Sequence, residues 1–233
     1  MGQEKNMNTK LGNPTWEVLR IFFRPHPWHG ISMGDAAPET VTAYIEVVPT
    51  DTVKYELEKS TGFLKLDRPQ KFSNVCPAPY GFIPQTFCGG QVASLAAERT
   101  GRASLVGDGD PLDICVLTDR TLSHADHLLD AIPIGGLRML DAGEADDKIV
   151  AVLEKDASYG HFRDIKECPN ALVQRLIHYF LTYKMSPQGE SPSTEVTEVY
   201  GREEAHEVIR RSAADYADHF GSLSDLLEAT LHS

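Results

Sequence analysis

Val106-Gly107-Asp108-Gly109-Asp110-Pro111-Leu112-Asp113 carries three aspartates in six residues, broken by a glycine and a proline. Ionised carboxylates so close repel one another: two like charges about 4 Å apart cost roughly 4 kcal/mol at an effective dielectric of about 20. Solvation, protonation or a bound cation relieves that cost. Gly109 lets the backbone turn where a Cβ would clash, and Pro111 fixes φ and stiffens the corner. A rigid corner presenting several carboxylate oxygens suits a hard cation such as Mg2+. Asp, Gly and Pro are also the ordinary residues of an exposed turn, so the stretch alone leaves both readings open. A calcium EF-hand loop is excluded: its sixth and twelfth positions call for Gly and Glu and here hold Asp113 and Asp119. An aspartyl-phosphate enzyme using Asp108 as nucleophile stays as an alternative, although 103–106 is a weak strand to carry it.

Around this corner the chain reads as short strands followed by helices. Strands are expected at 41–48, carrying Glu46, and at 53–59, where period-two alternation puts Lys54, Glu56 and Glu58 on one face and Tyr55 and Leu57 on the other. A glycine turn at 60–62 returns the chain through 63–68, ending in Arg68. The Pro- and Gly-dense stretch 77–86 reads as an ordered loop bearing Tyr80. The stretch 89–101 reads as a polar excursion with one or two helical turns. Further strands follow at 113–118, at 131–140 with a bulge at Gly135 and Gly136, and at 149–153. A second acidic turn, 141–148, precedes the last of these and holds Asp141, Glu144, Asp146, Asp147 and Lys148. Several short strands with turns indicate a barrel or sandwich.

The C-terminal third reads as helical. Asn170 is the expected N-cap of a helix with an apolar stripe through Leu172, Leu176 and Phe180, which ends at Tyr183 and Lys184. A second helix is expected at 203–220, closed by Gly221, and a third at 223–231. His206-Glu207-Val208-Ile209-Arg210 begins like a zinc-protease helix but has Arg at the second ligand position. His26 and His29, beside Pro27 and Trp28, read as packing residues before metal ligands. Residues 1–13 are polar and expected to be mobile, and 16–23 are apolar enough to dock on a core.

Composition narrows the function. The 233 residues carry 22 basic and 34 acidic side chains, a net charge of −12, which argues against nucleic-acid or anionic-membrane partners. It does not argue against an anionic substrate, because bound cations reverse the local field. Cys76, Cys88, Cys115 and Cys168 show no C-x-x-C spacing, so buried reduced thiols are expected in place of zinc or disulfides. No apolar run approaches the roughly 20 residues of a membrane span, and no leader-like segment opens the chain. A soluble, cytoplasmic protein is expected.

If both acidic turns face one site, they bring together Asp108, Asp110, Asp113, Asp141 and Asp146, with Glu46 and Glu56 on a nearby strand. Lys54, Arg68, Lys148 and Lys184 add cations, and Tyr80 and Tyr183 add hydroxyls. Carboxylates to hold metals, with cations and phenols to grip phosphoryl oxygens, describe a metal-bound phosphate site.

These residues resemble the family I soluble inorganic pyrophosphatases. Asp108-Gly109-Asp110-Pro111-Leu112-Asp113 matches the family signature D-x-D-P-x-D. Lys54-Tyr55-Glu56, Asp67-Arg68, Tyr80-Gly81-Phe82-Ile83, Asp141 through Lys148 and Tyr183-Lys184 follow in the same order, so the likeness covers about residues 40 to 190. The resemblance implies an α+β fold, a small five-stranded OB-like β-barrel flanked by C-terminal helices, in one domain spanning 1–233. It implies Mg2+-dependent hydrolysis of pyrophosphate to two phosphates, with Mn2+ or Zn2+ as possible substitutes, in a homo-oligomer. By position, Asp108, Asp113, Asp146, Asp141, Glu46 and Glu56 would serve the metals. Asp110 would take the proton of the attacking water, and Lys54, Arg68, Tyr80, Tyr183, Lys184 and Lys148 would serve the phosphates. The chain departs from the pattern at Cys76, where many members carry Tyr, and in the segment 88–105, an insertion relative to short bacterial members. Its N-terminal portion with Pro27-Trp28-His29 is similar to larger members, and no family motif covers the tail past Gly201.

Overall fold

Strand β6 (Asp113–Leu117) shows why the sheet closes on itself. Its residues alternate between two apolar clusters, Cys115 and Leu117 in one and Ile114 and Val116 in the other, so both faces are buried. A strand buried on both sides needs partners at both edges and layers over both faces. The structure, a computed structural model, describes residues 25–185 and 194–221. The expected mobile start at 1–13, the apolar segment at 16–23 and the third C-terminal helix at 223–231 lie outside the described residues.

The strands run in the order β1 (Val41–Val47), β2 (Val53–Leu57), β3 (Leu64–Pro69), β4 (Tyr80–Phe82), β5 (Val106–Gly107), β6, β7 (His127–Asp141), β8 (Glu144–Ala145), β9 (Lys148–Leu153) and β10 (Thr194–Gly201). Pairing passes from β1 to β4, β6, β9 and β7, and β7 pairs back with β1. The five form a closed ring, which leaves those edges no unpaired ladder groups. The long strand β7 makes this closure possible: its first part pairs with β1, its middle with β9 and its end with β10 and β8. Its register on β9 shifts between Pro133 and Gly135, where the glycines led us to expect a bulge. β2 and β3 form a separate hairpin.

Helix α1 (Gly90–Thr100) lies between β4 and β5, α2 (Asn170–Thr182) follows β9, and α3 (Arg202–Phe220) follows β10. The α2 residues Val173, Leu176 and Phe180 pack with Val47, Cys115, Met139 and Val150. The α3 residues Ala205, Val208 and Ile209 pack with Ile45, Ile114, Ala131 and Ile149. Fully burying an aliphatic side chain of this size contributes roughly 1.5–3 kcal/mol, so these layers hold the ring from two sides. All four cysteines are free and buried, as their spacing suggested.

Four expectations need correction. Residues 80–82 are not loop but strand β4, held between β1 and β6. The excursion at 89–101 is an 11-residue helix, because Val92, Ala93, Leu95 and Ala96 supply a buried face. Pro169, not Asn170, occupies the N-cap position of α2. The C-terminal third is not all helical: β10 intervenes and pairs with β7, with a register shift between Val196 and Glu198 that interrupts any regular alternation.

Candidate active site

The first acidic bend leads into β6 and the second leads into β9, and β6 and β9 are adjacent and parallel. Their register sets Asp113 directly beside Lys148. Strands that start side by side bring the bends before them together, so the two acidic turns open on one cavity of about 170 Å³. Glu46, Lys54, Glu56, Tyr80, Asp108, Asp110, Asp113, Asp141, Glu144, Asp146, Lys148, Tyr183 and Lys184 line it. Of the residues singled out from sequence, Arg68 alone is not in this lining. It pairs with Asp67 and stands 5.8 Å from the centre of the Tyr183 ring.

Local geometry aims each group. Gly109 has φ of +74°, the left-handed turn expected of the corner, and Asp108 accepts the Asp110 backbone N–H at 2.9 Å, which closes it. Glu46 lies where the β1–β4 register shifts between Ile45 and Val47, an irregularity of the kind that re-aims a side chain. Its carboxylate accepts the Leu57 N–H at 2.7 Å and so ties the β2–β3 hairpin to β1. Lys54 lies opposite Arg68 on that hairpin and contacts Glu56 at 3.3 Å and Asp67 at 3.8 Å. The Tyr80 hydroxyl donates to Asp113 at 2.6 Å, and its ring packs on Phe180 of α2. Tyr183 and Lys184 sit just past the end of α2, and Lys184 pairs with Asp141.

Electrostatics mark the cavity as short of positive charge. Eight carboxylates face three ammonium groups. Burial and the neighbouring Asp146 push the Asp108 carboxyl up to about 8, against the opposing pull of Lys148. Burial and Asp113 push Glu46 up to about 8 as well. Asp146 is raised by burial, partly offset by Lys148. Burial works against the charge on Lys148, but Asp113 and Asp146 outweigh it and hold the ammonium protonated. Lys148 contacts both of those aspartates, and Lys59 contacts Asp110. The lysines thus gather at the carboxylates, as expected where a low-dielectric pocket concentrates negative charge.

Residues 43–217 match the family model described as inorganic pyrophosphatase. The chain belongs to the inorganic pyrophosphatase family. An inorganic pyrophosphatase of Chlamydia muridarum is 49% identical over 199 residues, 84% of this chain and 95% of that protein. A soluble inorganic pyrophosphatase of Oryza sativa subsp. indica is 38% identical over 187 residues, 80% of this chain and 77% of that one. The crystal structure of inorganic pyrophosphatase from Thermus thermophilus superposes with a TM-score of 0.69 at 31% identity, covering 82% of this chain and 98% of that one.

Within this pyrophosphatase-family chain, sequence reasoning passed over three neighbours of the cavity. Glu144 sits in the second acidic bend and was visible there as one more carboxylate. Lys59 lies beyond the end of β2, where alternation no longer predicts direction, so no local signal pointed to its contact with Asp110. Trp28 lines a small adjoining recess with Glu46, Glu56, Lys59 and Asp110. His26 and His29 are packing residues: their rings stack, and His29 Nδ1 lies 2.7 Å from the Tyr216 hydroxyl.

Proposed function

We propose that this chain hydrolyses inorganic pyrophosphate to two orthophosphates, with Mg2+ as the working cation and no covalent enzyme intermediate. The observation that carries the reading is the meeting of two acidic bends in one cavity with an excess of carboxylates. The donor set fits a hard divalent ion, being all oxygen, crowded and undercompensated. Mg2+ keeps several waters and takes one or two carboxylates plus substrate oxygens, so it needs no closed protein cage. Mn2+ and Zn2+ are possible substitutes. When bound, divalent cations acidify water and neutralise phosphoryl charge.

In this reading Asp108, Asp113, Asp146, Asp141, Glu46 and Glu56 hold the ions. Asp110 takes the proton of the attacking water at a carboxylate oxygen, which requires Lys59 to move aside. A carboxylate alone is a weak base toward water, so the cations its neighbours would hold would supply most of the acidification. Lys54, Arg68, Tyr183 and Lys184 grip the phosphates. Tyr80 orients Asp113 through its hydroxyl, and Lys148 balances Asp113 and Asp146. In-line attack with positioned charge needs no enzyme nucleophile. The reading treats the chain as one cytoplasmic domain acting as a homo-oligomer, with 88–105 an insertion and no nucleic-acid or membrane partner. The net charge of −12 supports the last point, and among the described residues no helix is long and apolar enough to cross a membrane.

The test is phosphate release from pyrophosphate with Mg2+ present, chelated and restored. Release, loss and recovery are expected. Equal turnover under chelation would remove the metals from the reading. Cleavage of organic monoesters with pyrophosphate left intact would return it to the aspartyl-phosphate alternative.

A further inference from the structure

α1 and its flanks take no part in the proposed chemistry, yet they are bonded to both acidic bends. At the entry to the helix, Cys88 donates its N–H to the Asp110 carbonyl at 2.8 Å and accepts the Gly109 N–H at 3.1 Å. At the exit, β5 pairs in parallel with β8, setting Val106 opposite Glu144 and Gly107 opposite Ala145. The two ends of the excursion also meet: a Cβ on Gly107 would lie 2.0 Å from the Cys88 carbonyl oxygen. The spacing of the two bends, set first by the β6–β9 register, is therefore also tied to where α1 sits.

Asp215 of α3 holds α1 in place. Gly89, at the N-cap position, has no side chain to cap the helix. The Asp215 carboxylate, buried at 6% exposure, accepts the backbone N–H groups of Gly89 at 3.0 Å, Gln91 at 2.9 Å and Val92 at 3.0 Å. These belong to the first turn, whose donors have no intrahelical partner, and a negative charge at a helix N-terminus is favoured by the dipole. Two further bonds repeat the tie, from the Phe87 N–H to the Ser212 carbonyl at 2.9 Å and from the Gln91 amide to Asp218 at 3.0 Å.

We infer that Asp215 is a positioning residue for the divalent-cation site: by capping α1 it fixes Cys88 and β5, and through them the distance between the two acidic bends. The inference rests on the cation-binding reading of the cavity. Asp215 itself touches neither ion nor substrate.

The test compares Asp215→Ala and Asp215→Asn with the wild type as full chains. Mg2+ alone is titrated by calorimetry, and phosphate release is followed against Mg2+ at saturating pyrophosphate. Losing a group hydrogen-bonded directly to a metal ligand costs roughly ten- to hundredfold in affinity, and Asp215, which acts through backbone bonds, belongs at the low end. Asp215→Ala is therefore expected to need about tenfold more Mg2+ for half-saturation. Asp215→Asn, which keeps one acceptor oxygen, should fall between, and turnover should return to the wild-type level at high Mg2+. A lowered melting temperature with the wild-type Mg2+ midpoint would overturn the inference, as would lowered maximal turnover with that midpoint. If Asp215→Ala does not fold, the near-isosteric Asp215→Asn decides by the same criterion. A wild type that binds Mg2+ but releases no phosphate would sink the functional reading and leave the calorimetric comparison to judge Asp215. A wild type that binds no Mg2+ would sink both.

Discussion

Asp146 faces the cavity, where carboxylates outnumber ammonium groups eight to three, whereas Asp147, the next residue, faces a cluster that supplies its own cation. There the buried Arg138 lies 3.7 Å from Asp147, 2.7 Å from Glu204 and 3.6 Å from Glu198. The guanidinium stands 5.0 Å from the centre of the Tyr200 ring, and the Tyr200 hydroxyl donates to Asp147 at 3.1 Å. Burial pushes Asp147 only to about 6, because Arg138 pulls it back. An arginine cannot release its proton within a protein, so this cluster holds a permanent cation of its own, which ties β7 to β10 and α3. The difference is one of source: the closed cluster takes its positive charge from the chain, and in the proposed reading the open one takes it from solution.

The largest effect should come from the open side. Asp110→Asn is expected to lower phosphate release by roughly 10² to 10⁴-fold, the usual worth of a positioned acid–base group, with an unchanged circular dichroism spectrum. Equal turnover would remove Asp110 as base.

Stability should then separate the neighbours. Arg138→Met leaves Asp147 buried and unpaired, and a urea titration should show a loss of about 3–5 kcal/mol. Asp146→Asn loses one of the two carboxylates on Lys148 while Asp113 still pairs it, so it should lower metal-free stability less than Arg138→Met, but it should abolish most of the melting-temperature rise on adding Mg2+. If the two variants behaved alike, the distinction would fail.

A smaller effect is expected from pH. Glu46 and Asp108 have ordinary values of 4.5 and 3.8 and rise to about 8 in the folded, metal-free protein. The folded state then binds more protons than the unfolded state between those values, so their contribution to stability falls as pH rises from about 4 to 8. Melting temperatures across that range should decline without Mg2+ and flatten with it. An equal slope under both conditions would place the shifted groups away from the ions.

The smallest effect lies beside the cavity and has the opposite sign. Burial lowers His29 from 6.5 to about 4, with help from His26. The unfolded state binds the extra proton in that window, so His29 favours folding more as pH rises through it. Acidification should loosen the packing of Trp28 and His29 on Tyr216 and Phe220. Trp28 fluorescence in a Trp16→Phe background reports it, and His29→Phe should remove the pH dependence.

Much of the site was legible because its carboxylates are local. Asp108, Asp110 and Asp113 share one bend, Asp141, Glu144 and Asp146 share another, and alternation put Lys54 and Glu56 on one strand face. Tyr80, Tyr183 and Lys184 stood out as hydroxyls and a cation beside the acidic turns, and the family resemblance added their expected phosphate roles. What escaped was held by distant partners. β4 is three residues long and exists through its two neighbours. β10 loses its alternation at a register shift. Asp215 caps donors more than a hundred residues away, and Arg138 reads as a misplaced charge in an apolar strand until Asp147 and Glu204 meet it. None of these leaves a periodic trace.

The most direct measurement is a crystal structure grown with Mn2+, the ions located by anomalous scattering. Ions whose coordination shells include carboxylate oxygens from both the 108–113 and the 141–146 bends are the predicted result. Ions bound to one bend only, or a cavity still bridged by Lys148 and Lys59 with the metals elsewhere, would contradict it.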